Sequence, residues 1–375
     1  MDVNSSLHKF LRNVKYVVTS YWSPQTGFAK KYPKVVQLPM TYLCNSRCVM
    51  CNIWKMDYSN EFDLDEFERF MADPLFKKVR ALGINGGEPT LVKELPKYAE
   101  AILRLPSLKY LNIITHGFNH KPMFPALKEI YKLCKEKGVK FHVSISLDGY
   151  GQTHNVVRGK NVFPKTDYSI KEIMQNKHLY CDSIDVGCTV IKHNVDQMIE
   201  LDEYAKRNLF DIKYRVGIEN KRIESNKLMD QFSVLLDKSV QSSTEFFHSR
   251  YYEAQNFMVK FKYFALYHFL SADKKERLLG CDWKEEGLTM DARGDLYYCA
   301  VASDKIGSLR EEGGEDIFFR AQNLTYRKSI LDDKCNGCIH DYQGKPQLRH
   351  LVFYFRRFLF ERFYWLGYYL KARLT

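Results

Sequence analysis

From Val35 onward, short runs rich in β-branched and aromatic residues alternate with longer stretches whose apolar positions recur at helical spacing. Val35–Thr41, Lys78–Ile84, Tyr110–Thr115, Lys140–Leu147, Ser183–Ile191 and Ile212–Val216 read as strands. Leu64–Met71, Leu95–Arg104, Met123–Lys137 and Val195–Arg207 read as the helices between them. Such alternation predicts parallel βαβ units in an α/β fold. Six strands predict an open, partial (β/α)6 TIM-like barrel. Functional residues in barrels of this kind sit at the C-terminal ends of the strands.

The alternation stops after about Glu219. Asn226–Ser271 reads as helical, with dense Phe and Tyr between Phe246 and Phe269. Leu279–Gly344 turns rich in Gly and Cys, with strand-like pieces at Gly287–Asp291 and Asp295–Cys299. The expected organisation is a basic extension over 1–34, the barrel over 35–225 and a helical linker over 226–275. A small C-terminal α+β domain over 276–345 and a basic aromatic helix over 346–375 complete it. In that last segment Arg356, Arg357, Glu361 and Arg362 interrupt the aromatic run, which argues against a spanning helix. A helix packing its aromatic face on the barrel and one lying on an anionic membrane surface both fit.

The chain has 375 residues and a formal net charge of +12, which attracts anions in general: nucleic acid, an anionic membrane or a phosphorylated substrate. No apolar run of 18 residues and no secretory signal are visible, so the expected location is cytoplasmic, with peripheral membrane contact left open. Ten cysteines without an export signal point to metal ligation or reduced thiols rather than to a disulfide framework.

Cys44, Cys48 and Cys51 form C-x-x-x-C-x-x-C directly after the first strand. Three thiolates in one short loop can wrap a [4Fe–4S] cube and leave one iron open for a ligand. Zinc is the alternative, but no fourth ligand stands nearby. The motif resembles the signature of the radical S-adenosylmethionine (SAM) superfamily, with Met50 where that family is usually aromatic. The resemblance implies that SAM chelates the open iron and that one electron cleaves it to a 5′-deoxyadenosyl radical, which takes a hydrogen atom from substrate.

In that register Gly86, Gly87 and Glu88 of Gly-Gly-Glu-Pro look like the contact to the amino group of SAM. Ser146 and Asp148 are expected at the ribose, Arg158 at the SAM carboxylate, and Val190 and Ile191 at the adenine. Each also has an ordinary structural reading: a turn, a local hydrogen bond or a buried strand. His116 stands in Thr-His-Gly where relatives often have Thr-Asn-Gly, and is either a site residue or a turn residue.

Cys281, Cys299, Cys335 and Cys338 form a second set. The C-x12-G-x4-C piece around Gly294 resembles the opening of the SPASM/twitch module, which carries auxiliary clusters. The full SPASM pattern has seven cysteines, so the four here imply a shortened module with one auxiliary [4Fe–4S] cluster. A zinc site built from the same four cysteines stays open as the rival. Cys134 reads as core, whereas Cys181 just precedes the fifth strand and Cys188 lies within it, so one of the two can face the cavity, with Cys188 the candidate hydrogen-atom donor.

Three functions follow as expectations. The first is a radical SAM oxidoreductase or epimerase acting on a small polyol, sugar or lipid- or phosphate-linked metabolite. The second is a peptide-modifying maturase, weakened because only 43 residues precede Cys44. The third is a non-catalytic zinc protein binding nucleic acid or membrane, disfavoured by the motifs in barrel register. The expected partners are the small-molecule or peptide substrate, a one-electron reductant such as flavodoxin or ferredoxin, and an anionic membrane surface.

Overall fold

A computed structural model describes residues 31–236, 238–340, 344 and 346–357. The expected 1–34 extension and the end of the C-terminal segment therefore lie almost entirely outside the described residues.

Six parallel strands follow the βαβ reading: β1 (Val35–Pro39), β2 (Ala81–Asn85), β3 (Tyr110–Thr115), β4 (Lys140–Ser146), β5 (Ser183–Val190) and β6 (Ile212–Val216). Lys78 is not strand; Pro74–Lys78 forms a 3-10 turn because Pro74 presets its first residue and the Asp73 side chain caps it. The crossovers include α1 (Leu64–Met71), α2 (Leu95–Ile102) and α3 (His120–Lys137). Helices α4 (Gln152–Arg158) and α5 (Phe163–Gln175), followed by a single helical turn at Lys177–Tyr180, link β4 to β5, and α6 (Met198–Arg207) links β5 to β6. Helix α1 shows the local logic. The Asp63 carboxylate accepts from the Glu66 amide at 2.9 Å, two acids occupy the first turn, and Phe67, Phe70 and Met71 fall on one buried stripe.

The strand order is β6-β5-β4-β3-β2-β1-β7-β8-β9, an open sheet of nine strands. Here β7 (Gly287–Met290) runs parallel to β1, with Val36 opposite Leu288. Then β8 (Asp295–Tyr297) and β9 (Gly307–Ser308) turn back antiparallel. The C-terminal strands thus extend the barrel sheet itself.

One sheet face is apolar. Leu38, Ile84, Ile113, Val143, Val186 and Tyr214 point into the helical layer and are buried completely. By strand alternation the other face carries Gly83, Asn85, Asn112, Ser144, Ser146, Asp185, Gly187, Thr189 and Arg215, in mutual register. This polar face lines the inside of the half-barrel.

The helical linker resolves into α7 (Ser239–Glu253) and α8 (Phe257–Ser271). Helix α8 is buried around most of its girth, including Phe261, Phe264, Phe269 and Leu270. Residues 348–357 form a helix that sinks Leu351 and Tyr354 into this aromatic cluster; the Tyr354 ring lies 4.9 Å from that of Phe264. This part of the aromatic tail is therefore core packing. Between them in the chain, α9 (Gly314–Phe319) and α10 (Ala321–Asp333) cover the C-terminal strands. No helix among the described residues is long and apolar enough to cross a membrane.

Candidate active site and cysteine centres

The loop after β1 is held from three sides. The turn after β2 zips to it: the Gly87 amide donates to the Thr41 carbonyl at 2.6 Å and the Glu88 amide to the Leu43 carbonyl at 2.9 Å. A Cβ on Gly87 would lie 2.1 Å from the Leu43 carbonyl oxygen, so only glycine permits this approach. The end of α4 supplies the second side. Its Val157 and Arg158 carbonyls accept from the Val49 and Arg47 amides at 3.0 and 2.9 Å. Ser46 donates its hydroxyl to the Arg158 carbonyl at 3.0 Å and lies 3.2 Å from the Cys48 sulfur.

The third side is His116. Its Nδ1 accepts from the Phe118 amide at 3.2 Å, so the proton of the neutral ring resides on Nε2. Nε2 then donates to Asn45 Oδ1 at 2.7 Å, inside the cysteine loop. Glu88 anchors this end of the site and is buried. It accepts from the hydroxyls of Thr90 and Thr115, both at 2.7 Å, and from the His116 amide at 3.0 Å.

Burial holds the His116 ring well down, to about 4, despite the neighbouring Glu88 carboxylate. The unfolded chain takes up this proton near pH 6.5, so acidification between pH 6.5 and 4 favours unfolding, by on the order of 3 kcal/mol. His116→Asn is expected to flatten the pH dependence of the denaturation midpoint in that window. An unchanged slope would show that the ring titrates normally in the folded protein.

Arg158 and Asp148, both buried, meet each other: Nη2 lies 2.6 Å from Asp148 Oδ2. The contact is electrostatic rather than a well-aligned hydrogen bond, and Arg158 Nε has no partner. Nη1 of Arg158 reaches the Cys48 sulfur at 3.6 Å. Asp148 also accepts from the Thr189 amide, and its backbone is held by His154 and Asn194. The expected ribose and carboxylate contacts thus belong to one ion pair beside the cysteine loop. Ser146 sits on the interior face at the end of β4.

Other residues are placed differently from the sequence reading. Alternation along β5 turns Gly187 and Thr189 inward and Cys188 outward. The Cys188 sulfur lies 3.7 Å from the Met198 sulfur of α6 and is buried completely, so it does not face the cavity. Val190 likewise joins the core behind the sheet. Ile191 packs with Val157 and Phe232 in a small cluster that also touches Met50, next to the cysteine loop.

Burial pushes the thiols of Cys44 and Cys51 up to about 11 and 12, so they stay protonated until a cation displaces the protons. Among the described residues no three Cys, His, Asp or Glu side chains are gathered as a single-ion site. A four-iron cube is larger than an ion and spreads its thiolates further apart. The donor set of three soft thiols, and the unpartnered Arg158 Nε beside it, fit such a cube with an anionic ligand on its open iron.

Cys281, Cys299, Cys335 and Cys338 line one partly open cavity, with Trp283 and Tyr298 in its wall. Burial pushes Cys299 and Cys335 up to about 11. Arg277, which sequence reasoning missed, organises this end. Its guanidinium donates to the carbonyls of Leu279, Gly280 and Cys338 at 2.9, 2.8 and 3.1 Å and lies 3.9 Å from the Cys338 sulfur. No motif flags Arg277, because its partners are backbone carbonyls brought together by folding.

An open half-barrel of six parallel strands, with a three-thiol loop at the C-terminal end of its first strand, defines a class of cluster-bearing barrel proteins. Residues 38–204 match the family model "Radical SAM superfamily". It is 27% identical over 202 residues to GTP 3',8-cyclase of Helicobacter pylori, covering 51% of this chain and 57% of the relative. It is 32% identical over 134 residues to Fe-coproporphyrin III synthase of Methanosarcina barkeri, covering 35% of this chain and 31% of the relative. The chain thus spans less than two thirds of the length of these curated relatives. In fold it resembles anSMEcpe with bound AdoMet and a peptide, at TM-score 0.55, 17% identity, 79% of this chain and 83% of that one. It also resembles Streptococcus suis SuiB bound to its precursor peptide SuiA, at TM-score 0.54, 16% identity, 85% of this chain and 72% of that one.

Proposed function

We propose that this protein is a radical SAM enzyme that abstracts a hydrogen atom from a substrate carbon held inside the half-barrel. The observation that carries the reading is the docking of the Cys44–Cys51 loop onto the Gly86–Glu88 turn and the end of α4. When bound, a reduced [4Fe–4S] cluster supplies the electron that cleaves SAM to methionine and a 5′-deoxyadenosyl radical.

The chain's own residues do the positioning. Cys44, Cys48 and Cys51 hold the cluster. The Gly86–Gly87 turn offers backbone close to it, and Glu88 fixes the turn through Thr90, Thr115 and His116. Arg158, kept charged and oriented by Asp148, presents a cation beside Cys48 for the carboxylate of SAM. Cys281, Cys299, Cys335 and Cys338 would hold an auxiliary cluster, which would supply a one-electron acceptor. A flavodoxin- or ferredoxin-type donor supplies the reducing electron.

A small metabolite is the substrate class we favour. The curated relatives include a cyclase named for GTP, which fits a small anionic substrate better than a neutral polyol. A peptide is the second reading, supported by fold neighbours that were solved with peptides.

The anaerobically reconstituted protein, given SAM and dithionite, is expected to form 5′-deoxyadenosine and methionine. The variant with Cys44, Cys48 and Cys51 all replaced by Ala should form none. Equal product from both would sink the reading.

A further inference from the structure

Two arginines of the barrel interior carry guanidinium nitrogens that are buried without a hydrogen-bond partner. Arg215, at the end of β6, shares the interior face with Thr189 and Gly187. A Cβ on Gly187 would lie 2.8 Å from Arg215 Nη2 and 3.9 Å from Ser144 Oγ, so the guanidinium reaches over β5 where that side chain is missing. Its Nε is buried without a hydrogen-bond partner. On the same face the Asp185 carboxylate is taken up by Ser144, His142 and Lys213, and that of Asp148 by Arg158 and the Thr189 amide.

Arg222 stands at the mouth, in the turn Lys221–Ile223 that follows β6. Its guanidinium carbon is 6.0 Å from the centre of the Tyr42 ring, and its charge is felt at Cys51. Both Nε and Nη1 are buried without partners. Neither arginine makes an ion pair among the described residues. Asn85 Oδ1 and Thr289 Oγ1, on the same interior face, are also buried and unsatisfied.

Leaving a buried charged donor unpaired costs about 1–3 kcal/mol or more. Folding alone gives no reason to gather several such atoms in one interior. A ligand does. Resting on the reading that substrate occupies this interior, we infer that Arg215 and Arg222 bind an oxyanion of the substrate, a phosphate or a carboxylate. Guanidinium forks match either group with two parallel hydrogen bonds. The net charge of +12 adds long-range attraction for such a substrate. The anion end is thereby held beside the cysteine loop through Arg222 and against the barrel wall through Arg215. Asn85 and Thr289 are left to orient the uncharged remainder.

The test is calorimetric titration of the reconstituted, SAM-bound protein with pyrophosphate and, separately, with succinate. Saturable binding of at least one is expected, and the better ligand tells phosphate from carboxylate. Arg215→Gln and Arg222→Gln should each weaken it by about tenfold or more. SAM affinity should stay unchanged. Without added anion, neither variant should melt below the parent, because each removes guanidinium nitrogens that are buried without a partner. Three results would overturn the inference: no binding of either anion, binding unaffected by both substitutions, or a lower melting temperature showing a structural role. Loss of SAM affinity in the variants would also overturn it, by assigning the guanidinium groups to SAM. Reductive SAM cleavage is measured on the same preparations. Anion binding without cleavage would sink the proposed enzyme activity and leave the anion pocket standing.

Discussion

Replacing both Cys281 and Cys335 by Ala is expected to lower the iron of the reconstituted protein from about eight atoms per chain to about four. The two cysteine sets share no residue and are held mainly by different contacts. The first hangs between the β2 turn, His116 and α4. The second lines a separate cavity beneath α10, organised by Arg277. Reductive cleavage of SAM should therefore survive the substitution, because it depends on the first set alone. Iron that stays near eight would mean that the second set holds none. A parent protein with about four irons and one zinc would make the C-terminal site a structural zinc site with four thiolate ligands. The search for an electron-accepting role there would then end.

Asp148→Ala is expected to destabilise the protein by about 3–5 kcal/mol, as breaking one side of a buried ion pair does elsewhere. Removing the carboxylate strands Arg158 as a buried cation and takes an acceptor from the Thr189 amide. The end of α4 also holds the cysteine loop through two carbonyls. Cluster retention should therefore fall together with stability. Asp148→Asn keeps the shape and an acceptor, and should recover only part of the loss. Denaturant midpoints for the three proteins check this. A loss below about 1 kcal/mol for the Ala variant would mean that solvent reaches Arg158 and the pair is effectively exposed.

Much of the fold was legible because it rests on local pattern. Ile212–Val216 and Tyr110–Thr115 have strand bounds in the structure identical to those read from the sequence, as does the helix Leu64–Met71. Their period and caps lie within a few residues of themselves. The bounds failed where neighbours decide, as at Lys78, which a Pro-initiated turn takes from β2. Helix α4 was not read as a helix at all. At seven residues it is too short for periodicity to speak, and it matters through its C-terminal carbonyls.

What the sequence by itself determined is the chemistry available: two sets of thiols at cluster spacing, a Gly-Gly-Glu turn and a strand-helix alternation that puts the first set at a strand end. Motifs of this kind are contiguous, so spacing alone reports them. What only the tertiary structure decided is which side chains face each other. It turned Cys188 into the helical layer by a one-residue alternation, and it paired Asp148 with Arg158. It also left guanidinium nitrogens of Arg215 and Arg222 buried without partners and wrapped Arg277 around distant carbonyls. Sheet register and helix docking set these relations across tens to hundreds of residues, and no local pattern carries that information.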